Sequence, residues 1–306
     1  MKKFASVTLS ALLLLSLAAC GRTQTQATAQ NTAPAAEEQI QNEPATAQNG
    51  TVTETQPAQQ PEAPQIVFQV SSYEVKDDRY TDDRTALLAS SEYEIPQVTV
   101  TGGGSAEEAA AAAINQYFTD WLTKEQQWFE EVVQMARKDY AENSTQPYSA
   151  WQSNAYYYAD TMGFTSWQNS KLLCIMMQGY NFTGGVHGYS GQTAVMFDLV
   201  TGKVMTPGEL VSDFSGMTAA VTQEILRQIQ TGELAAQYGM SAYFDDYKDT
   251  VSDWMERAVS FDDTGMNVVF AVYDITPYAY GAQSFHIPYS LLAPYLNSTG
   301  HQMLGV

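Results

Sequence analysis

The feature that most constrains the fold is a long amphipathic pattern in residues 105–142. Apolar side chains recur every three or four positions, which places them on one face of a helix. Ser105 and Glu108 match a capping box, and Arg137 and Lys138 near the end suit the helix dipole. Because the apolar face must be covered, we expect this helix to lie across a sheet. The face comprises Ile114, Tyr117, Phe118, Trp121, Leu122, Trp128, Phe129, Val132, Val133 and Ala136.

Strand patterns, rich in β-branched and aromatic residues, lie on both sides of this helix. The charged segment 76–79 is predicted to be a turn. Strands and helices come in blocks, so the sequence predicts an α+β fold, with antiparallel sheets packed against the long helix and two or three shorter helices. The predicted strands are 66–75, 92–100, 156–160, 172–180, 192–199, 266–275 and 284–288, and the further helical patterns are 206–210, 216–230 and 243–257.

The first residues indicate export. Lys2 and Lys3 precede an apolar segment, 7–19, that is too short to span a bilayer. The Leu17-Ala18-Ala19-Cys20 motif resembles the lipobox of bacterial lipoproteins. That resemblance implies cleavage before Cys20 and acylation of its thiol, hence a lipid-anchored protein on the extracytoplasmic face of the cell membrane. The alternative is an ordinary secretory signal with an incidental cysteine.

Composition divides the rest of the chain. Residues 20–64 are rich in Gln, Thr, Ala, Pro and Asn, and so poor in apolar side chains that they predict a disordered tether. With residues 1–19 as the signal peptide, we predict a smaller α+β module at 65–145 and a larger one at 146–306. The larger module would contain the loop Gly184-Gly185-Val186-His187-Gly188.

The net charge of −20 limits the possible partners. Nucleic acid is disfavoured because phosphate neutralisation needs Lys and Arg. Anionic lipid is disfavoured beyond the acyl anchor for the same reason. The charge favours a cationic partner, or only solubility at a cell surface.

Candidate catalytic groups are scarce. There are three histidines and no H-E-x-x-H pattern, so no metal or cofactor is predicted. The Asp pairs lack the spacing of a calcium loop. Cys174 lies in an apolar run and is predicted to be a buried, inert side chain. His187 stands between Gly185 and Gly188, and either fixes its loop by hydrogen bonding or acts as a general base.

The Gly184–Gly188 segment, with Phe197-Asp198 and the run that ends at Gly281, resembles a known family. It is similar to the extracellular module of RsiV-type anti-sigma factors, which also precedes the catalytic domain of PdaC-like peptidoglycan deacetylases. The resemblance covers most of residues 65–296. The anti-sigma segment and the deacetylase half are not recognised in this sequence, so neither activity carries over. The resemblance implies a stand-alone module whose relatives recognise lysozyme, a basic protein.

We therefore predict a non-enzymatic binding or sensing protein of the cell envelope. Its partner would be lysozyme or another cationic protein, or cell-wall glycan. The alternative is a cryptic envelope hydrolase that uses His187. The loop 276–281 offers aromatic anchors on a short connection. The predicted binding residues are His187, Tyr189, Pro277, Tyr278 and Tyr280, the loop glycines are Gly184, Gly185 and Gly188, and Cys20 is the lipidation site.

Overall fold

The computed structural model of the protein describes residues 65–153 and 156–306. Cys20, the predicted signal and the predicted tether lie outside the described residues. Within the described residues, no helix is long and apolar enough to cross a membrane. The α+β prediction is confirmed, since sheets and helices pack together through three clusters of buried side chains.

A six-stranded sheet forms the centre of the fold, with its strands in sequence order. The predicted antiparallel meander is confirmed for the third to fifth strands. The second and third strands pair in parallel, because the long helix returns the chain to the same end of the sheet. The strands are β1 (Val67–Tyr80), β2 (Leu87–Thr101), β3 (Tyr158–Gln168), β4 (Leu172–Phe182), β5 (Tyr189–Asp198) and β6 (Val204–Met205).

The predicted long helix is confirmed as α1 (Ser105–Asn143), a helix of 39 residues. Its apolar face covers one side of the six-stranded sheet, where Ile114 and Phe118 are buried. The predicted capping box is displaced by one residue. Gly104 is the N-cap, and its backbone N–H donates to Oε2 of Glu107 at 2.8 Å.

A three-stranded antiparallel sheet and short helices cover the other side of β4 and β5. The strands of the three-stranded sheet are β7 (Ala258–Phe261), β8 (Gly265–Phe270) and β9 (Gln283–Pro288). The helices are α2 (Phe214–Thr231), α3 (Glu233–Tyr238), α4 (Tyr247–Ser252), α5 (Tyr289–Leu292) and α6 (Ser298–Leu304), and the 3-10 helices are Ala150–Ser153, Pro207–Leu210, Met240–Ala242, Trp254–Glu256, Tyr278–Tyr280 and Ala293–Tyr295.

Strand β4 lies between these two layers, which explains its continuous apolar sequence. Leu173 and Ile175 face α1, whereas Leu172 and Cys174 face α2 and the three-stranded sheet. Successive side chains of a strand point to opposite faces, so a strand covered on both faces needs apolar residues at every position. Cys174 is a free, buried thiol, as predicted.

Three predicted boundaries are wrong. Residues 76–79 are not a turn, because β1 continues to Tyr80 through antiparallel pairing with β2. The strand predicted at 266–275 ends at Phe270, and turns follow. The helix predicted at 243–257 is divided into α4 and the 3-10 helix Trp254–Glu256, because the chain turns at Asp253.

The predicted division at residues 145/146 falls between α1 and the 3-10 helix Ala150–Ser153. Strand β2 lies before it and β3 after it, and the two pair from Ala89 to Tyr93. The division into two modules stays a prediction about the sequence.

Candidate functional site

The glycine-rich loop connects β4 to β5 and depends on backbone conformations that favour glycine. Gly184 and Gly185 have φ angles of 93° and 92°, in the left-handed region. Gly188 is needed for close packing. A Cβ there would lie 2.4 Å from the Tyr180 ring and 2.6 Å from the Asn181 carbonyl oxygen. The loop therefore carries Val186, which is fully exposed, and His187 out to the surface.

Both ring nitrogens of His187 have partners. Nδ1 lies 2.9 Å from the carbonyl oxygen of Gly188, which can only accept, so Nδ1 carries a hydrogen. Nε2 lies 3.1 Å from the hydroxyl of Tyr273. In the neutral imidazole Nε2 then accepts from the phenol, and in the charged imidazolium it donates to it.

Two tyrosines from the connection between β8 and β9 complete the surface. The Tyr278 ring stacks on His187, with centroids 3.9 Å apart and an interplanar angle of 13°. The Tyr273 ring lies 6.1 Å from His187 and 5.7 Å from Tyr278. We call His187, Tyr273 and Tyr278 the His187 cluster. Its three rings come from two connections that are far apart in the sequence.

Tyr273 has a left-handed backbone, with a φ angle of 70°, and its side chain is 47% exposed. Neighbouring Asp274 holds the turn, because its Oδ2 accepts from the backbone N–H of Ala271 at 2.8 Å. Burial raises the pKa of Asp274, although Arg257, 3.7 Å away, acts in the opposite direction. The conformation of Tyr273 is thus imposed by a supported turn.

The other predicted binding residues are Tyr189, Pro277 and Tyr280, and Pro277 directly precedes Tyr278 of the cluster. Tyr189 begins β5 and is half-buried, and its pKa is raised by burial and by nearby Asp274. Pro277 precedes the 3-10 helix and presets its backbone. Tyr280 packs against Tyr238 instead, with centroids 5.2 Å apart.

Sequence reasoning missed Tyr273 because it assigned residues 266–275 to a strand. The signal that could have found it is the Tyr273-Asp274 pair directly after an apolar strand. Aspartate commonly caps a turn through its own carboxylate, as Asp274 does here.

The other histidines make local contacts. His286 lies 3.1 Å from Oδ1 of Asn267, and His301 lies 2.8 Å from the carbonyl oxygen of Val306. Across residues 65–153 and 156–306, no three His, Cys, Asp or Glu side chains are grouped so that they could hold a metal ion.

Two family models match parts of this chain. Residues 83–190 match the model described as deacetylase PdaC. Residues 213–290 match the model described as a protein of unknown function, DUF3298. The chain thus carries a PdaC-like region followed by a DUF3298-like region. His187 lies in the first, and Tyr273 and Tyr278 lie in the second, so the His187 cluster joins the two matched regions.

Solved structures share this fold. The crystal structure of a DUF3298 family member from Bacteroides fragilis NCTC 9343 has a TM-score of 0.57 and 18% identity, and the match covers 76% of this chain and 94% of that one. A DUF3298 family protein from Pseudomonas aeruginosa PAO1 has a TM-score of 0.50 and 15% identity, with 76% and 95% coverage. At these identities the likeness shows the fold alone. No curated protein matches the chain.

Proposed function

We propose that this protein is a non-catalytic, lipid-anchored binding protein of the bacterial cell envelope, and that its His187 cluster contacts a basic protein such as lysozyme. The observation that carries the proposal is Tyr273, a non-glycine residue with a left-handed backbone and a half-exposed ring bonded to His187. Backbone strain at an exposed position supports a functional constraint on that side chain.

The arrangement of the cluster suits an anchor for a protein partner. The stack of His187 on Tyr278 and the hydrogen bond to Tyr273 restrict the rotamers of all three rings. Tyrosine buries a large area at small entropic cost, and a ring that is already fixed loses less on binding. Fully exposed Val186 beside His187 adds apolar area to the same surface.

The charge of the chain favours a basic partner. The whole chain carries −20, and removal of Lys2 and Lys3 with a signal peptide would make it two units more negative. Such a charge attracts a cationic protein during diffusional encounter, while the buried aromatic contacts determine how long the complex lasts. The resemblance to the RsiV-type module supplies lysozyme as the specific candidate.

The alternative role of His187 as the general base of a hydrolase has less support. Nε2 faces a phenol, and Nδ1 is bound to a backbone carbonyl. A histidine base needs one nitrogen directed at a nucleophile or a water, with the other oriented by a partner. The bonds to the Gly188 carbonyl and the Tyr273 hydroxyl have this form, so the preference for binding rests on the scarcity of catalytic motifs in the sequence.

Surface plasmon resonance tests the proposal, with the full chain captured and lysozyme in solution. We expect binding that weakens as salt increases, because salt screens attraction beyond about 8 Å at physiological ionic strength. Tyr278→Ala should accelerate dissociation about tenfold or more, as for an interface anchor. Tyr73→Ala is the matched control, because Tyr73 is 41% exposed but lies in β1.

Two results would contradict the proposal. One is no binding to lysozyme even at low salt. The other is equal dissociation rates for Tyr278→Ala and Tyr73→Ala. Soluble cell-wall glycan fragments form a second arm of the experiment. Binding to them that Tyr278→Ala weakens, without binding to lysozyme, would reassign the partner of the His187 cluster.

The anchor at Cys20 is a separate part of the proposal. Mass spectrometry of the N-terminal peptide from membrane-associated protein should find an acylated Cys20 as the first residue. Cleavage elsewhere, or an unmodified thiol, would contradict the lipid anchor without affecting the binding surface.

A further inference from the structure

A cavity of about 560 Å³ lies beside α3, and its described lining residues do not include those of the His187 cluster. It is bounded by the end of α2, by α3 and by the start of β9. The volume falls within the roughly 300–1,000 Å³ that small-molecule sites occupy. Tyr280, which does not join the His187 cluster, is one of its lining residues.

Most of the side chains that line this cavity are polar. Three carboxamides and two phenols face it, and Glu233 is its one charged residue among the described lining residues. A phosphate, sulfate or carboxylate ligand needs cationic or backbone donors, and the lining supplies no Lys, Arg or His side chain. The polar lining residues are Gln228, Gln237, Gln283, Tyr243 and Tyr280 together with Glu233.

Hydrogen bonds donated by the amide nitrogen fix the orientation of two of the carboxamides. Nε2 of Gln228 donates to Oε1 of Glu224 and to the carbonyl oxygen of His286, at 2.8 and 2.7 Å. Nε2 of Gln283 donates to the carbonyl oxygens of Tyr280 and Gly281, at 2.9 and 3.3 Å. Each Oε1 is thereby a fixed acceptor without a hydrogen-bond partner among the described residues.

Tyr243 provides the second, independent observation. Only 7% of this residue is exposed, and it lines the cavity. Its hydroxyl has no hydrogen-bond partner within the part of the chain that the structure describes, and it is not one of the enclosed polar atoms there, so it opens into the cavity. A hydroxyl that opens into a cavity bonds to water there, or exchanges that bond for one to a ligand. An unpaired phenol directed at a polar cavity therefore points to a ligand or to water in that cavity.

We propose that this cavity binds a neutral saccharide. Sugar hydroxyls both donate and accept, so they match fixed carboxamide oxygens, phenols and a carboxylate, while the partly exposed ring of Tyr280 can cover the apolar face of a pyranose. The proposal does not depend on the protein partner at the His187 cluster.

Ligand-observed NMR and calorimetry on the full chain test this with three neutral probes: maltotriose, cellotriose and tri-N-acetylchitotriose. We expect at least one to bind with a Kd of about 1 mM or tighter. Tyr243→Phe removes only the unpaired hydroxyl and should weaken binding at least threefold, which is the size of a typical hydrogen-bond contribution. Gln237→Ala truncates an exposed lining residue and should weaken it similarly.

Tyr247→Phe is the matched control, because Tyr247 is buried and its ring lies 5.4 Å from that of Tyr243, but it does not line the cavity. It should leave the Kd unchanged. The proposal is overturned if none of the probes binds at about 10 mM. It is also overturned if Tyr243→Phe and Gln237→Ala both bind as the parent does, or if Tyr273→Ala abolishes the binding instead.

Discussion

Tyr93 donates a hydrogen bond of 2.6 Å to Oδ2 of Asp160 in the buried layer between α1 and the six-stranded sheet. Burial raises the pKa of Asp160 to about 6, although the hydrogen bond from Tyr93 acts against that rise. The ionised form of Asp160 is therefore less favourable in the folded protein than in the unfolded chain. No pattern in the sequence indicates this pairing, since the two residues are on different strands.

This pKa shift predicts how stability depends on pH. The folded state keeps the proton of Asp160 to a higher pH than the unfolded chain, whose aspartates titrate near pH 4. The free energy of unfolding should therefore fall as pH rises from about 4 to about 6, by roughly 2–3 kcal/mol from this group, and then level off. Urea unfolding at several pH values within this window measures the effect.

Asp160→Asn isolates the contribution of this carboxyl. The variant keeps an acceptor for Tyr93 but has no proton to lose, so its stability should vary less with pH over the same window. Asp120→Asn, on the exposed face of α1, is the control and should retain the parent dependence. If Asp160→Asn also retains it, another group is responsible.

Cys174 should be chemically inert in the folded protein. Burial raises the pKa of its thiol to about 12, and the thiolate is the reactive form. In a Cys20→Ser background, a thiol reagent near neutral pH should label Cys174 only after unfolding by urea. Rapid labelling without urea would mean that β4 opens locally, contrary to its burial on both faces.

Gly188 and Gly185 offer a matched pair in one loop. Gly188→Ala would place a methyl group 2.6 Å from the backbone oxygen of Asn181, so the loop must shift. In Gly185→Ala the added methyl group would have no atom within 4 Å, so the only cost is the strain of a φ angle of 92°. We expect losses of about 1–3 kcal/mol for Gly188→Ala and about 1 kcal/mol for Gly185→Ala.

Thermal and urea unfolding of both variants measure these losses. The Gly188→Ala variant should also disturb His187, because the carbonyl oxygen of Gly188 binds Nδ1. If Gly185→Ala is the more damaging of the two, the close packing of Gly188 on Tyr180 does not limit this loop.

The elements that the sequence predicts well are those whose pattern is local and long. The stripe of α1 extends from Ile114 to Ala136, about six turns of helix, and the apolar run of β4 is bounded by turn residues. The period of the α1 stripe fits a helix, and the short length of the β4 run and its flanking turn residues favour a strand. Propensity and periodicity then agree, and the prediction is accurate to a few residues.

The errors concern segments whose structure depends on distant residues. Lys76 and Asp78 read as a turn, but pairing with Glu92 and Ser90 of β2 keeps them in a strand. The chain near Asp253 reads as continuous helix, but Trp254 is fully buried and its indole donates to the carbonyl oxygen of Thr218. Such tertiary contacts override local propensity.

In the candidate site, too, the locally encoded part is predictable from the sequence, and the part that depends on distant residues is not. The left-handed glycines and the exposed histidine lie in one short segment, which the sequence singles out. Tyr273 is 86 residues away from His187, and a hydrogen bond brings the two together. Only the packing of the β8–β9 connection against the β4–β5 loop makes Tyr273 a candidate, so the sequence alone could not select it over Tyr280.

The backbone of Tyr273 leads to the last prediction, a comparison of two substitutions. Tyr273→Ala and Tyr273→Gly both remove the ring and its bond to His187, but only glycine adopts a φ angle of 70° without strain. Tyr273→Gly should therefore be more stable than Tyr273→Ala by about 0.5–1 kcal/mol, after allowance for the greater freedom of glycine in the unfolded chain.

Tyr273→Ala and Tyr273→Gly should differ in stability but not in their affinity for lysozyme. Both variants lack the aromatic side chain, so both should lose affinity for lysozyme to a similar extent although their melting temperatures differ. Unfolding curves and plasmon resonance on the same preparations give the two quantities. If affinity instead follows stability across the pair, the Tyr273 ring supports the fold of its turn and the strained backbone is not evidence of a binding surface.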